Sequence, residues 1–118
     1  MVKSVGIGQF EQVVLTAVLE LGDTAYGVTI HRAVSEFSTP RRVSLGAVYA
    51  TLDRLEDKGL ITSWLSDPTP ERGGRSRRHY RLEPTGMCAL HESVLMAKRI
   101  CECIENAWGA TIWSTGPA

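Results

Sequence analysis

GGRSRRHYRLEPTG, Gly73 to Gly86, is the stretch on which the reading of this chain turns. Arg72, Arg75, Arg77, Arg78 and Arg81 fall within ten residues, with no acidic side chain among them. Within it, Arg77 to Leu82 alternates as a strand does: Arg78, Tyr80 and Leu82 share one face, and Arg77, His79 and Arg81 the other. Just upstream, Asp67-Pro68-Thr69-Pro70 and Gly73-Gly74 are turn chemistry. Before them Leu60 to Leu65 reads as a partner strand, with Ile61, Ser63 and Leu65 on one side and Leu60, Thr62 and Trp64 on the other.

Further upstream, SLGAVYATLDRLEDKGLI (Ser44 to Ile61) predicts a helix. Ser44 suits its N-cap and Gly59 stops it. Leu45, Val48, Leu52 and Leu55 form its core stripe, within about 80° of arc. The opposite side carries Gly46, Ala47, Ala50, Asp53, Arg54 and Asp57, with Tyr49 on the flank. Two helices precede it. Phe10 to Leu21 places Phe10, Val13, Val14, Ala17, Val18 and Leu21 at three- and four-residue spacing. Thr24 is an expected N-cap for the second, whose buried side is Tyr26, Ile30, Ala33, Val34 and Phe37, and which Pro40 ends.

Downstream, Pro84 fits the first turn of a last, long helix. Met87, Leu90, Val94, Ala97, Cys101, Ile104 and Trp108 step by 3, 4, 3, 4, 3, 4, a heptad-like seam that needs a partner. Gly109 should end the helix. The order predicts a mainly α fold with a small β-hairpin wing (α+β): a winged helix-turn-helix over residues 1–83, a C-terminal dimerisation helix over 84–108 and a tail over 109–118.

The chain is 118 residues long, enough for one small core, with 13 basic and 13 acidic side chains. The zero total hides an uneven distribution: Arg41 to Arg81 carries a net +4 and the remainder a net −4. No apolar run is long enough to span a membrane, and the N-terminus lacks a signal-peptide h-region. Three cysteines, Cys88, Cys101 and Cys103, do not make a disulfide framework and fit a reducing cytoplasm.

Duplex DNA presents closely spaced phosphates, and the guanidinium fork matches them. Arg72 and Arg75 at the hairpin tip are the expected wing contacts, with Arg77, Arg78 and Arg81 nearer the base, where acidic partners compete. In the helix before, Gly46, Ala47 and Ala50 are small enough to approach a groove floor, and an alanine methyl can meet a thymine methyl. Small residues there equally suit a packed neighbouring helix. Ser44 and Tyr49 offer hydroxyls to phosphates, and Arg54 lies further down the same side. With few direct base readers, specificity is expected to lean on shape.

AYGVTIHRAV (Ala25 to Val34), LGAVYATLDRLEDKGLI (Leu45 to Ile61) and GGRSRRHYRLEPTG together resemble the PadR family of bacterial transcriptional regulators. The resemblance covers most of Phe10 to Leu90; Glu83 departs from it, where members often carry threonine. It implies a homodimer built by the C-terminal helices that binds a near-palindromic operator on double-stranded DNA, mostly as a repressor. In some members a small aromatic or cationic effector binds at that interface and weakens DNA binding. With one long helix after the wing, this chain resembles the compact subgroup. The same resemblance puts Tyr49 on backbone phosphate and Ser44, Gly46, Ala47 and Ala50 in the major groove.

Trp108 at the end of the seam either stacks on such an effector or anchors the dimer. Trp64 reads as a strand packing residue. Cys88 and Cys101, about 20 Å apart along one helix, are too distant to share a metal, and Cys101 fits an interface core. The motifs of nucleotide hydrolases, serine hydrolases and zinc proteases are absent from the sequence, and no cofactor is expected. The competing reading is a winged-helix adaptor that binds another protein and no operator.

Overall fold

The computed structural model describes residues 6–66 and 76–109. The expected wing tip, with Arg72 and Arg75, and the tail from residue 110 lie outside the described residues. Four helices and a hairpin follow in the order α1 (Gln9–Leu21), a 3₁₀ turn (Gly22–Thr24), α2 (Gly27–Ser38), α3 (Leu45–Asp57), β1 (Ile61–Leu65), β2 (Arg78–Leu82) and α4 (Pro84–Trp108). The strands pair antiparallel, with Ile61 opposite Leu82, Ser63 opposite Tyr80 and Leu65 opposite Arg78.

Helix α1 lies at the centre and touches α2, α3, β2 and α4. That position explains why its buried arc is wider than the spacing predicts: Leu15 is fully enclosed beside Val14, Ala17 and Val18, while Phe10, Val13 and Leu21 are half-buried at the edges. Ile30 and Val34 of α2, Val48, Leu52 and Leu55 of α3, Leu60, Ile61 and Tyr80 around the hairpin, and Ala89 and Leu90 of α4 complete the core.

Two polar devices hold the helix ends. At the start of α1, Glu11 accepts the Gly8 N–H at 2.9 Å through one carboxylate oxygen. The other oxygen accepts Lys58 Nζ at 2.8 Å, from just past the end of α3, with Arg54 Nε 3.8 Å away. Burial alone would lift the Glu11 carboxyl; the Lys58 hydrogen bond, the Gly8 N–H and the charges of Lys58 and Arg54 outweigh it and hold the group below its usual value. A lowered folded-state pKa contributes stability that is present above the unfolded value and is lost as pH falls through the folded one. Glu11→Gln should therefore cost about 2 kcal/mol at neutral pH and shrink the stability difference between neutral and acidic melts. An unchanged acid dependence would show that the pair contributes nothing. At the other end of α3, Leu60 N–H reaches Leu55 O and Gly59 N–H reaches Glu56 O, with Gly59 at φ 77°. This Schellman closure needs glycine, and it turns buried Leu60 straight into β1.

Three sequence expectations are corrected. Thr24 does not cap α2. Ala25 and Tyr26 stay extended as a bridge onto β2, Tyr80 N–H donating to Ala25 O at 2.9 Å, so the helix begins at Gly27. Thr29 supplies the cap, its hydroxyl accepting Tyr26 N–H at 3.0 Å. Phe37, assigned to the buried side of α2, is 70% exposed, because the last turn of α2 borders an open cavity. Leu45, assigned to the core stripe of α3, is exposed in its first turn; half-buried Val43 packs on the core instead, and Thr51 joins the buried face.

Candidate nucleic-acid interface

The local chemistry of α3 presents its outward row. Ser44 caps the helix, its hydroxyl accepting Ala47 N–H at 3.0 Å. Val48, Leu52 and Leu55 fix the inward side, which leaves Gly46, Ala47 and Ala50 exposed on the other. Among the described residues no other group lies within 4 Å of a Cβ built on Gly46, so none of the described helices packs there.

Tyr49 has a specific seat. A Cβ on Gly27 would overlap the Tyr49 hydroxyl and lie 2.5 Å from its Cζ, so the phenol rests against the first turn of α2 only because residue 27 is glycine. The seat holds the hydroxyl against the first turn of α2, at the flank of α3. Gly27→Ala should leave the fold nearly as stable, since the ring is half-exposed and can swing out, while duplex affinity falls about tenfold through loss of a positioned hydroxyl. Paired melting and duplex-binding measurements check this; equal losses in both would assign Gly27 to packing alone.

The arginines divide by partner. Arg54, still 58% exposed, leans back towards Glu11 and donates to Thr51 Oγ1 at 3.3 Å. The guanidinium of Arg77 lies 3.9 Å over the Tyr26 ring. Arg78 donates to Ser63 Oγ at 2.8 Å, and Ser63 donates in turn to Glu56 Oε2 at 2.8 Å, tying the wing to the end of α3. Across the outer face of the hairpin Tyr26 meets His79 edge-on at 5.6 Å, His79 stacks on Trp64 at 5.5 Å, and Arg81 lies 5.6 Å over the Trp64 ring. The expected packing role of Trp64 is thus a place in this alternating column, which braces the wing base against the start of α2. Sequence reasoning missed the column because Tyr26 joins it only through its bridge to His79, far along the chain.

Helix α4 behaves as two halves. Glu83 N–H donates to Leu60 O, Thr85 Oγ1 donates to Gly59 O, and Gly86, Ala89 and Leu90 are buried against the domain. Leu90, counted in the heptad seam, is 7% exposed and belongs to the core of this chain. From Val94 to Trp108 every described residue is exposed, Trp108 to 70%. Met96, Ala97, Ile100, Ile104, Ala107 and Trp108 fall within about 120° of the helix circumference, on the same face that Gly86, Ala89 and Leu90 use lower down. The 3,4 stepping of the sequence reading follows one edge of this wider stripe, which is why Met96 and Ile100 escaped it. Among the described residues no group of His, Cys, Asp and Glu forms a metal site, and no helix is long and apolar enough to cross a membrane.

The sequence pattern of the transcriptional regulator PadR-like family matches residues 14–92. Among solved structures, a PadR family transcription regulator from Clostridium difficile is 28% identical, with a TM-score of 0.65 over 86% of this chain and 98% of that one. A PadR-like transcription factor from Bacteroides fragilis superposes with a TM-score of 0.71 at 23% identity, over 85% and 90% of the two chains. Bordetella bronchiseptica BpsR, whose DNA binding is regulated by 6-hydroxynicotinic acid, superposes at 0.62 with 19% identity, over 93% and 74%. No curated protein matches the chain.

Proposed function

Because the chain belongs to the PadR-like family of transcriptional regulators, we propose that it is a homodimeric repressor acting in the cytoplasm, seated on a near-palindromic operator. The exposed outward row of α3, with the Tyr49 phenol docked on Gly27 beside it, is the observation that carries this reading. Ser44, Gly46, Ala47 and Ala50 enter the major groove, Tyr49 and Arg54 meet phosphates, and Arg72, Arg75 and Arg77 follow the backbone at the wing. The exposed stripe of α4, Met87, Val94, Ala97, Cys101, Ile104 and Trp108 together with Met96 and Ile100, pairs with that of a second copy. A small aromatic or cationic effector resting on Trp108 shifts the spacing of the two wings and releases the operator. The regulation of BpsR by 6-hydroxynicotinic acid supports an effector in this fold.

Titration of duplex binding against salt tests the reading. Log affinity should fall with log salt at about −0.9 per phosphate contact. Replacing Arg72 and Arg75 by alanine should weaken binding on every sequence and flatten the slope by about 2. Binding that ignores salt, or fails on all duplexes, would overturn the regulator in favour of a protein-binding adaptor.

A further inference from the structure

We propose that His31 is a positioning residue for DNA recognition: its ring, carried by α2, fixes the angle at which α3 leaves the preceding turn, and so sets where Ser44, Gly46, Ala47 and Ala50 stand against a duplex. The proposal rests on the reading of α3 as the DNA-contacting helix. One hydrogen bond carries it, His31 Nε2 donating to Val43 O at 2.7 Å from twelve residues away. A carbonyl only accepts, so Nε2 bears the proton. Ser35 Oγ, one turn further along α2, lies 3.4 Å from the same nitrogen.

The entry of α3 has little else to hold it. Every residue from Ser44 to Ala47 is exposed, Leu45 to 41%, so the first turn buries no side chain of its own. The first inward anchor is Val48, fully enclosed one turn later. The Ser44 cap, accepting Ala47 N–H, steadies the turn from within and does not tie it to the domain. Further along, α3 is better held: Tyr49 rests against Gly27, and Lys58, just past the end, donates to Glu11 at 2.8 Å. Among the described residues, His31 is the only side chain of another element that hydrogen-bonds to residues 43–47.

The point of attachment matters. The half-buried side chain of Val43 packs on the core, and its carbonyl is the last before the N-cap. The peptide unit is planar, so holding Val43 O also sets the direction of the Ser44 N–H and the position of its Cα. The residues assigned to the groove follow within two turns, and a tilt at Val43 moves them together. Contacts to base edges depend on close geometry, whereas attraction to phosphates falls off gradually with distance. His31 therefore governs sequence preference more than total affinity.

The test uses the full chain and two probes: the duplex that the unaltered chain enriches from a random pool, and a shuffled duplex of the same composition. His31→Leu keeps the bulk and loses the donor; His31→Gln keeps an N–H at about the same reach. His31→Leu should lower the preference for the enriched duplex about fivefold, leave the salt slope on the shuffled duplex unchanged, and speed hydrogen exchange at the Ala47 and Val48 amides. His31→Gln should restore most of the preference and of the protection. Thermal melts accompany both variants, so unequal preference at equal stability separates positioning from packing. A His31→Leu chain that keeps the native preference, or loses affinity for both duplexes equally, would overturn the role, as would a His31→Gln chain that behaves like it. An unaltered chain that enriches no sequence would reject the operator reading; the exchange rates would then decide alone whether His31 holds the entry, unchanged rates overturning it.

Discussion

Ile104→Asp should separate the subunits of the proposed dimer and cost it about a hundredfold or more in operator affinity, the loss expected when two linked half-site contacts become independent. Ile104 lies in the exposed half of α4, in the same stripe as Ile100 and Trp108. In an isolated chain that stripe leaves isoleucines, a methionine and a tryptophan in water, a patch of the kind that marks an interface. A carboxylate placed at its centre would be desolvated without a partner in the paired state and harmless in the separate one. Nothing in the domain's own core changes, so thermal melting of the single subunit should be retained. Light scattering and sedimentation give the mass, and a duplex carrying both half-sites gives the affinity. Glu102→Lys, on the polar side of the helix, serves as the control and should leave both unchanged. A variant that remains dimeric would place the partner surface elsewhere.

Gly86→Ala should destabilise the fold by about 3 kcal/mol, the upper range for forcing a methyl into a closed core. A Cβ on Gly86 would overlap the Leu60 carbonyl oxygen and lie 2.7 Å from Leu82 Cδ1. The first obstacle is backbone, and that carbonyl already accepts the Glu83 N–H at 3.0 Å. Relief requires α4 to lift from the strand, which breaks that hydrogen bond and uncovers Leu60. Gly46→Ala is the contrast: among the described residues its Cβ meets no other group within 4 Å, and alanine suits a helix interior better than glycine. It should stabilise the chain slightly while altering operator preference. Urea denaturation separates the two; equal midpoints would show that α4 accommodates the methyl without cost.

Local signals were legible in the sequence where the chain closes on itself. Ser44 capping α3, Gly59 ending it, Pro84 opening α4 and Gly109 closing it all act within a few residues, and each stands where its chemistry put it. What escaped was settled by distant partners. Thr24 is a good cap by type, yet the bridge from Tyr26 to His79 delays the helix. Charge counting located the basic region but could not say that Arg54 shares Glu11 with Lys58, or that Arg77 lies over Tyr26. Periodicity found the apolar side of α4 but drew it too narrowly, and it assigned Leu90 to a partner when the chain's own core claims it. Phe37 and Leu45 satisfied their helical pattern and still face outward, because periodicity reports which way a residue points and not whether anything stands there.

The hydroxyl of Thr85 holds the carbonyl of Gly59, the residue at which α3 turns into β1. The long helix α4 and the end of α3 thus meet at one elbow, joined through that hydrogen bond. In the homodimer proposed above, the crossing angle of the two rods would dictate how far apart the proposed reading heads stand. Operator length would then be a property of the rods' contact, and altering a few side chains along them would retune which spacing the proposed dimer accepts without touching a base-facing residue.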